Sequence, residues 1–116
     1  MRKESKYNKS LIDLAEVLLE DNKTLSIRMN GLSMYPALQH GDTGMVKKCF
    51  TDELKIGDIV VWRSDNLLVA HRLISCERKD NGWRLLTRGD NNLVDDIPFS
   101  EKELAGKLIS FERNGK

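Results

Sequence analysis

From residue 26 onward, turn residues cut the chain into short segments of alternating polarity, and this rhythm constrains the fold more than any other feature. The breaks are Gly41-Asp42, Gly57-Asp58, Asp80-Asn81-Gly82 and Gly89-Asp90-Asn91-Asn92. Alternation with a period of two places one set of side chains on each face of a strand. It predicts strands over Ser26 to Met29, Thr43 to Lys48, Asp58 to Arg63, Leu68 to Cys76, Trp83 to Thr87 and Gly106 to Glu112. The Asp-Asn-Gly triplet between two such runs is a strong hairpin signal. Ahead of the strands, Leu11, Leu14, Ala15, Leu18 and Leu19 recur at helical spacing behind Ser10, a suitable N-cap. They predict one amphipathic helix from Ser10 to Asp21. The expected architecture is mainly β: several short, mostly antiparallel strands over residues 25–116, preceded by a basic arm and helix over 1–24.

Composition narrows the function classes. A chain of 116 residues, 40% hydrophobic and 32% charged, suits one globular domain with a real core. Its formal net charge of +1 gives no electrostatic case for nucleic acid as a partner. About 25 residues holding one helix are too few for a helix-turn-helix ahead of the β domain. Basic residues gather only at the start, where Arg2, Lys3, Lys6 and Lys9 face Glu4, a pattern expected of a solvated terminus. Cys49 and Cys76 lack metal-binding spacing and read as reduced and structural. No stretch reaches the roughly 18 apolar residues that cross a bilayer. The run LIDLAEVLL is interrupted by Asp13 and Glu16 and has no cleavage site after it, so it is not an export signal. A cytoplasmic protein, or one peripheral to the membrane, is expected.

There is no glycine-rich phosphate loop, no paired-cysteine motif and no zinc helix. With only His40 and His71, a multi-histidine metal site is ruled out, and neither a metal nor another cofactor is expected. Hydroxyl or carboxylate chemistry remains. In Asn30-Gly31-Leu32-Ser33-Met34-Tyr35-Pro36, Gly31 permits unusual backbone geometry and Pro36 fixes the following turn. A serine there can expose its hydroxyl and offer its own N–H to an oxyanion. Most serines in such turns are turn residues only. In Leu67-Leu68-Val69-Ala70-His71-Arg72-Leu73-Ile74, alternation puts Val69, His71 and Leu73 on one face and Ala70, Arg72 and Ile74 on the other. A histidine among aliphatic neighbours suits a general base near neutral pH, or is a satisfied structural residue. The acid-rich segment from Thr87 to Asp96 is a solvated turn or the source of a carboxylate that orients His71.

Taken together, the blocks GLSMYPAL, HGDTGMV, GDIVVW, VAHRLI, TRGDNNLVDD and GKLI resemble the signal peptidase I family in order and spacing, from about Asn30 to Ile109. The variant they look like is the archaeal and endoplasmic-reticulum type, which uses histidine where bacterial enzymes and LexA-type self-cleaving peptidases use lysine. The resemblance implies Ser33 as nucleophile and His71 as general base. It makes Asp96 the orienting acid, with Asp90 a second functional carboxylate and Asp95 the alternative if the loop register differs by one. Met34 and Pro36 would shape the turn and the adjacent substrate groove. The implied reaction is endoproteolysis of an extended peptide after small residues, recognised by edge-strand hydrogen bonding. Gly31 departs from relatives that carry a hydroxyl two residues before the nucleophile. The implied partner is a leader peptide near an export system, the chain itself or a soluble protein. The competing expectation is a noncatalytic peptide-binding or regulatory module that retains the fold.

Overall fold

The computed structural model describes residues 24–116. The helix expected from Ser10 to Asp21 and the basic arm lie outside the described residues. Seven strands follow in chain order: β1 (Thr24–Arg28), β2 (Thr43–Lys47), β3 (Ile59–Ser64), β4 (Leu67–Lys79), β5 (Gly82–Arg88), β6 (Phe99–Ser100) and β7 (Leu104–Glu112). They form one sheet in the order β1-β2-β7-β3-β4-β5-β6, with each neighbouring pair antiparallel. The mainly β, antiparallel expectation therefore holds for the described residues, and all six expected strands are present with shifted ends.

The longest strand is β4, which runs three residues past its expected end at Cys76. Its pairing with β5 continues to Lys79 opposite Gly82, so only Asp80 and Asn81 are left in the turn. Strand β6 was not expected, because two residues are too few to show alternation. Strand β3 is central and buries both faces. Val60 and Trp62 join Leu73, Leu85 and Phe99 on one side, with the Trp62 and Phe99 rings stacked at 4.4 Å. Val61 joins Val46 on the other.

On that second side the sheet curls on itself. Leu25 and Ile27 of β1 pack in one cluster with Leu68 and Ala70 of β4, although three strands separate β1 from β4 in the sheet. The right-handed twist of strands favours such closure. The curl brings the loop that follows β1 against the middle of β4, where the candidate site lies.

Candidate active site

His71 stands at the middle of β4, opposite Val60 of β3. The same register sets Trp62 opposite Val69, and β5 sets Thr87 opposite Leu73. Residues directly opposite share a face. His71 therefore sits at the margin of the core that holds Val60, Trp62 and Leu73, with its side chain only 12% exposed. Arg72 points to the other face, opposite Arg88.

Ser33 lies in the loop between β1 and β2, which needs outside support because it has no ladder of its own. Met34 and Leu38 anchor it in a buried cluster with Met29, packed against Ile59, Ala70 and Leu108. Leu38 N–H donates to Met34 O at 2.9 Å, closing one turn around the anchors. Gly31 has φ of 82°, a left-handed conformation that suits glycine, and its N–H donates to His40 Nδ1 at 3.0 Å. At the far end, buried Asp42 accepts from Gln39 N–H at 2.8 Å and from Arg113 through two bonds of 2.9 and 2.8 Å. Hydrogen bonding to that guanidinium holds the Asp42 carboxyl below its ordinary value.

The acid-rich loop after β5 supplies three carboxylates, and each goes to a different place. Asp96 Oδ2 lies 2.6 Å from His71 Nδ1, and its backbone N–H donates to Thr87 O at 2.9 Å. Asp90 takes a two-pronged bond from Arg72, Nε to Oδ1 at 3.0 Å and Nη2 to Oδ2 at 2.6 Å, which lowers the Asp90 carboxyl and raises the Arg72 guanidinium. Asp95 lies 3.6 Å from exposed Arg88. On the other side of the serine loop, His71 Nε2 is 3.0 Å from Ser33 Oγ. Ser33, His71 and Asp96 thus form one hydrogen-bonded series, while Asp90 and Asp95 are paired with arginines.

Asn91 fastens the two loops together. Its N–H donates to Ser33 O at 2.8 Å and its side-chain amide to Leu32 O at 3.1 Å. Asp90 N–H meets Met34 Sδ at 3.4 Å. A Cβ on Gly89 would lie 2.6 Å from Ser33 O, so only glycine permits this approach. Met34 is consequently a buried anchor that also borders the cleft beside Ser33, whereas Pro36, joined to Tyr35 by a cis peptide bond, is exposed.

Sequence reasoning gave no role to Asn91, Thr87 or His40. Asn91 stands out only as one amide in a polar loop, and Thr87 only as a β-branched residue in a strand.

A cleft of about 270 Å³ opens beside Ser33 and His71, bordered by Ile27, Asn30 and Val69. A larger hollow of about 560 Å³ lies away from it, between Cys49 and Phe50, Arg78 and Trp83, and Glu101 to Ala105. No serine–histidine pair borders that hollow, and burial pushes the Cys49 thiol up to about 11, the wrong direction for a nucleophile. The candidate nucleophile and base therefore border the smaller cleft. A hydroxyl, an imidazole and a carboxylate in series can remove the hydroxyl proton during attack on a carbonyl. No group of three or more histidine, cysteine or acidic residues fit for a metal ion occurs among the described residues, and no helix there is long and apolar enough to cross a membrane.

The profile of the family described as Peptidase S24-like matches residues 2–109. The human signal peptidase complex catalytic subunit SEC11C is 36% identical over 83 residues, covering 69% of this chain and 43% of that protein. The catalytic subunit SEC11 of Yarrowia lipolytica is 32% identical over 106 residues, covering 82% and 60%. That of Scheffersomyces stipitis is 33% identical over 89 residues, covering 75% and 52%. The chain spans about half the length of the curated relatives it matches.

Proposed function

The chain belongs to the peptidase S24-like family, and from that premise we propose that it is a serine endopeptidase of signal-peptidase type. Family membership, with SEC11 subunits among the relatives, bears out the resemblance read from Asn30 to Ile109. The observation that carries the catalytic reading is the unbroken series from Ser33 Oγ to His71 Nε2, 3.0 Å, and from His71 Nδ1 to Asp96 Oδ2, 2.6 Å.

In this reading Asp96 is an ionised acceptor, so His71 Nδ1 carries the proton and Nε2 presents a lone pair to Ser33. The base draws off the Ser33 proton as Oγ bonds to the scissile carbonyl carbon. It returns that proton to the leaving amine when the C–N bond breaks. Water then repeats the sequence on the acyl-enzyme. The Ser33 N–H holds the oxyanion, a contact worth about 3 kcal/mol. Gly31 supplies no second donor, since it has no side chain and its N–H is committed to His40.

The substrate would be an extended peptide entering beside β4. Leu67 to His71 pair with β3 on one side, whereas pairing with β5 begins only at Arg72. The half-strand leading to His71 therefore has one edge without a partner strand among the described residues. A peptide added along that edge would run toward Ser33. The confined cleft suits small side chains, and a leader peptide is the substrate class we favour.

The test is labelling by a serine-directed fluorophosphonate. Wild type labels near neutral pH, and Ser33→Ala and His71→Ala do not, at losses of about ten-thousandfold or more. Unlabelled wild type, or equal labelling of Ser33→Ala, overturns the reading and leaves the peptide-binding module in its place.

A further inference from the structure

Behind Asp96 lies a fully buried hydroxyl that the reaction itself does not use. Thr87 is 0% exposed, and its Oγ1 sits 2.7 Å from Asp96 Oδ2 and 3.2 Å from Trp62 Nε1. Trp62 is 6% exposed and stacked on Phe99, so its ring is fixed by the core. The direction of these bonds follows from donor inventory. An indole N–H can only donate, so Thr87 Oγ1 accepts from Trp62. The single hydroxyl proton of Thr87 is then directed to Asp96 Oδ2. That oxygen is the one His71 Nδ1 also approaches, at 2.6 Å.

We propose that Thr87, aimed by Trp62, is a positioning residue that holds the Asp96 carboxylate so that His71 keeps its Nδ1–H tautomer and presents Nε2 to Ser33. The proposal deepens the peptidase reading and rests on it for its catalytic consequence. No proton travels along the relay, because Thr87 keeps its own and merely orients an acceptor.

Three structural points favour positioning over simple core packing. The relay begins in the rigid core, at a ring held by stacking. It ends on a carboxylate carried by a loop, the element with the most freedom to turn. Asp96 is also held at its backbone by the same residue, through its N–H to Thr87 O at 2.9 Å. A carboxylate fixed at both backbone and Oδ2 by one buried threonine cannot rotate away without breaking two bonds. A threonine present only to fill a β-strand would require neither.

The decisive experiment reads the tautomer and the reaction separately on the full chain. The His71 ring is followed by nitrogen-15 NMR at mildly alkaline pH, with its signals assigned by their loss in His71→Gln. Wild type and Thr87→Ser show the Nδ1–H form alone. Thr87→Val, of nearly the same shape, shows a mixture with Nε2–H, and Trp62→Phe a smaller admixture. Fluorophosphonate labelling of Ser33 falls about tenfold to a hundredfold in Thr87→Val, about threefold to tenfold in Trp62→Phe, and recovers in Thr87→Ser.

Wild-type His71 in the Nε2–H form overturns the proposal without any variant having to fold. So does a folded Thr87→Val that keeps both the single tautomer and the wild-type labelling rate. If wild type shows the Nδ1–H form but never labels, the peptidase reading fails while the positioning of His71 stands.

Discussion

Two neighbouring residues of β4, His71 and Arg72, face opposite sides of the sheet, and each takes a carboxylate from the loop that follows β5. The pairs look alike on paper, each a side-chain nitrogen 2.6 Å from an aspartate oxygen. They differ in what else they touch. His71 reaches Ser33, and its carboxylate is backed by buried Thr87. Arg72 reaches Gly57 O at 2.9 Å, and its carboxylate belongs to the segment that pins the serine loop through Asn91 and Met34. In the proposed reaction one pair holds a base that gains and loses a proton. The other holds a permanent charge, and permanence suits a fastener. Strand alternation alone separates the two roles, so one loop serves both without the carboxylates competing.

The comparison is tested first at the carboxylates themselves. Asp96→Asn keeps the shape but lets the amide face His71 with its NH₂ group, favouring the wrong tautomer. Labelling of Ser33 should fall by about a thousandfold to ten-thousandfold. Asp90→Asn breaks the two-pronged bond and frees the loop carrying Asn91, so labelling should fall by only about tenfold to a hundredfold. If Asp90→Asn costs as much as Asp96→Asn, the division between chemistry and fastening is wrong. Arg72→Lys keeps the charge but loses the planar fork, and should reproduce part of the Asp90→Asn loss.

This division was only half legible in the sequence. Alternation correctly assigned His71 and Arg72 to opposite faces, because that depends on nothing but the strand period. The choice among Asp90, Asp95 and Asp96 was open, since a loop has no fixed period and its turns decide which carboxylate swings where. The resemblance to signal peptidases pointed to Asp96, whose Oδ2 lies 2.6 Å from His71 Nδ1. Thr87 was invisible. A threonine in a strand is ordinary, and its partners Trp62 and Asp96 meet it only once β3, β5 and the loop are assembled. Strand β6 was missed for a related reason, as Phe99 and Ser100 gain strand character from pairing with Leu85 and Arg84 rather than from their own pattern. What depended on local periodicity could be read, and what depended on loop closure could not.

Acid sharpens the comparison with the smallest structural disturbance. Arg72 stays charged, so its pair fails only when Asp90 is protonated. Hydrogen bonding to Arg72 lowers the Asp90 carboxyl from the ordinary value of 3.8, and Arg113 does the same for Asp42. A carboxyl depressed in the folded state stabilises above its unfolded value, and the contribution is lost as pH falls through the lower folded value. Both fasteners therefore persist to below pH 3.8. The His71 pair differs in kind, because in the proposed reaction its Nε2 works as a hydrogen-bond acceptor for Ser33 rather than as a fixed charge. As pH is lowered from neutral toward 3.8, near-ultraviolet circular dichroism and the melting transition should still report the native fold. Unfolding should follow only in the more acid range, and Asp90→Asn should remove part of the stability that acid would otherwise take away. Loss of the native signals well above pH 3.8, or an Asp90→Asn variant with an unchanged acid transition, would mean that the Arg72 pair does not fasten the fold.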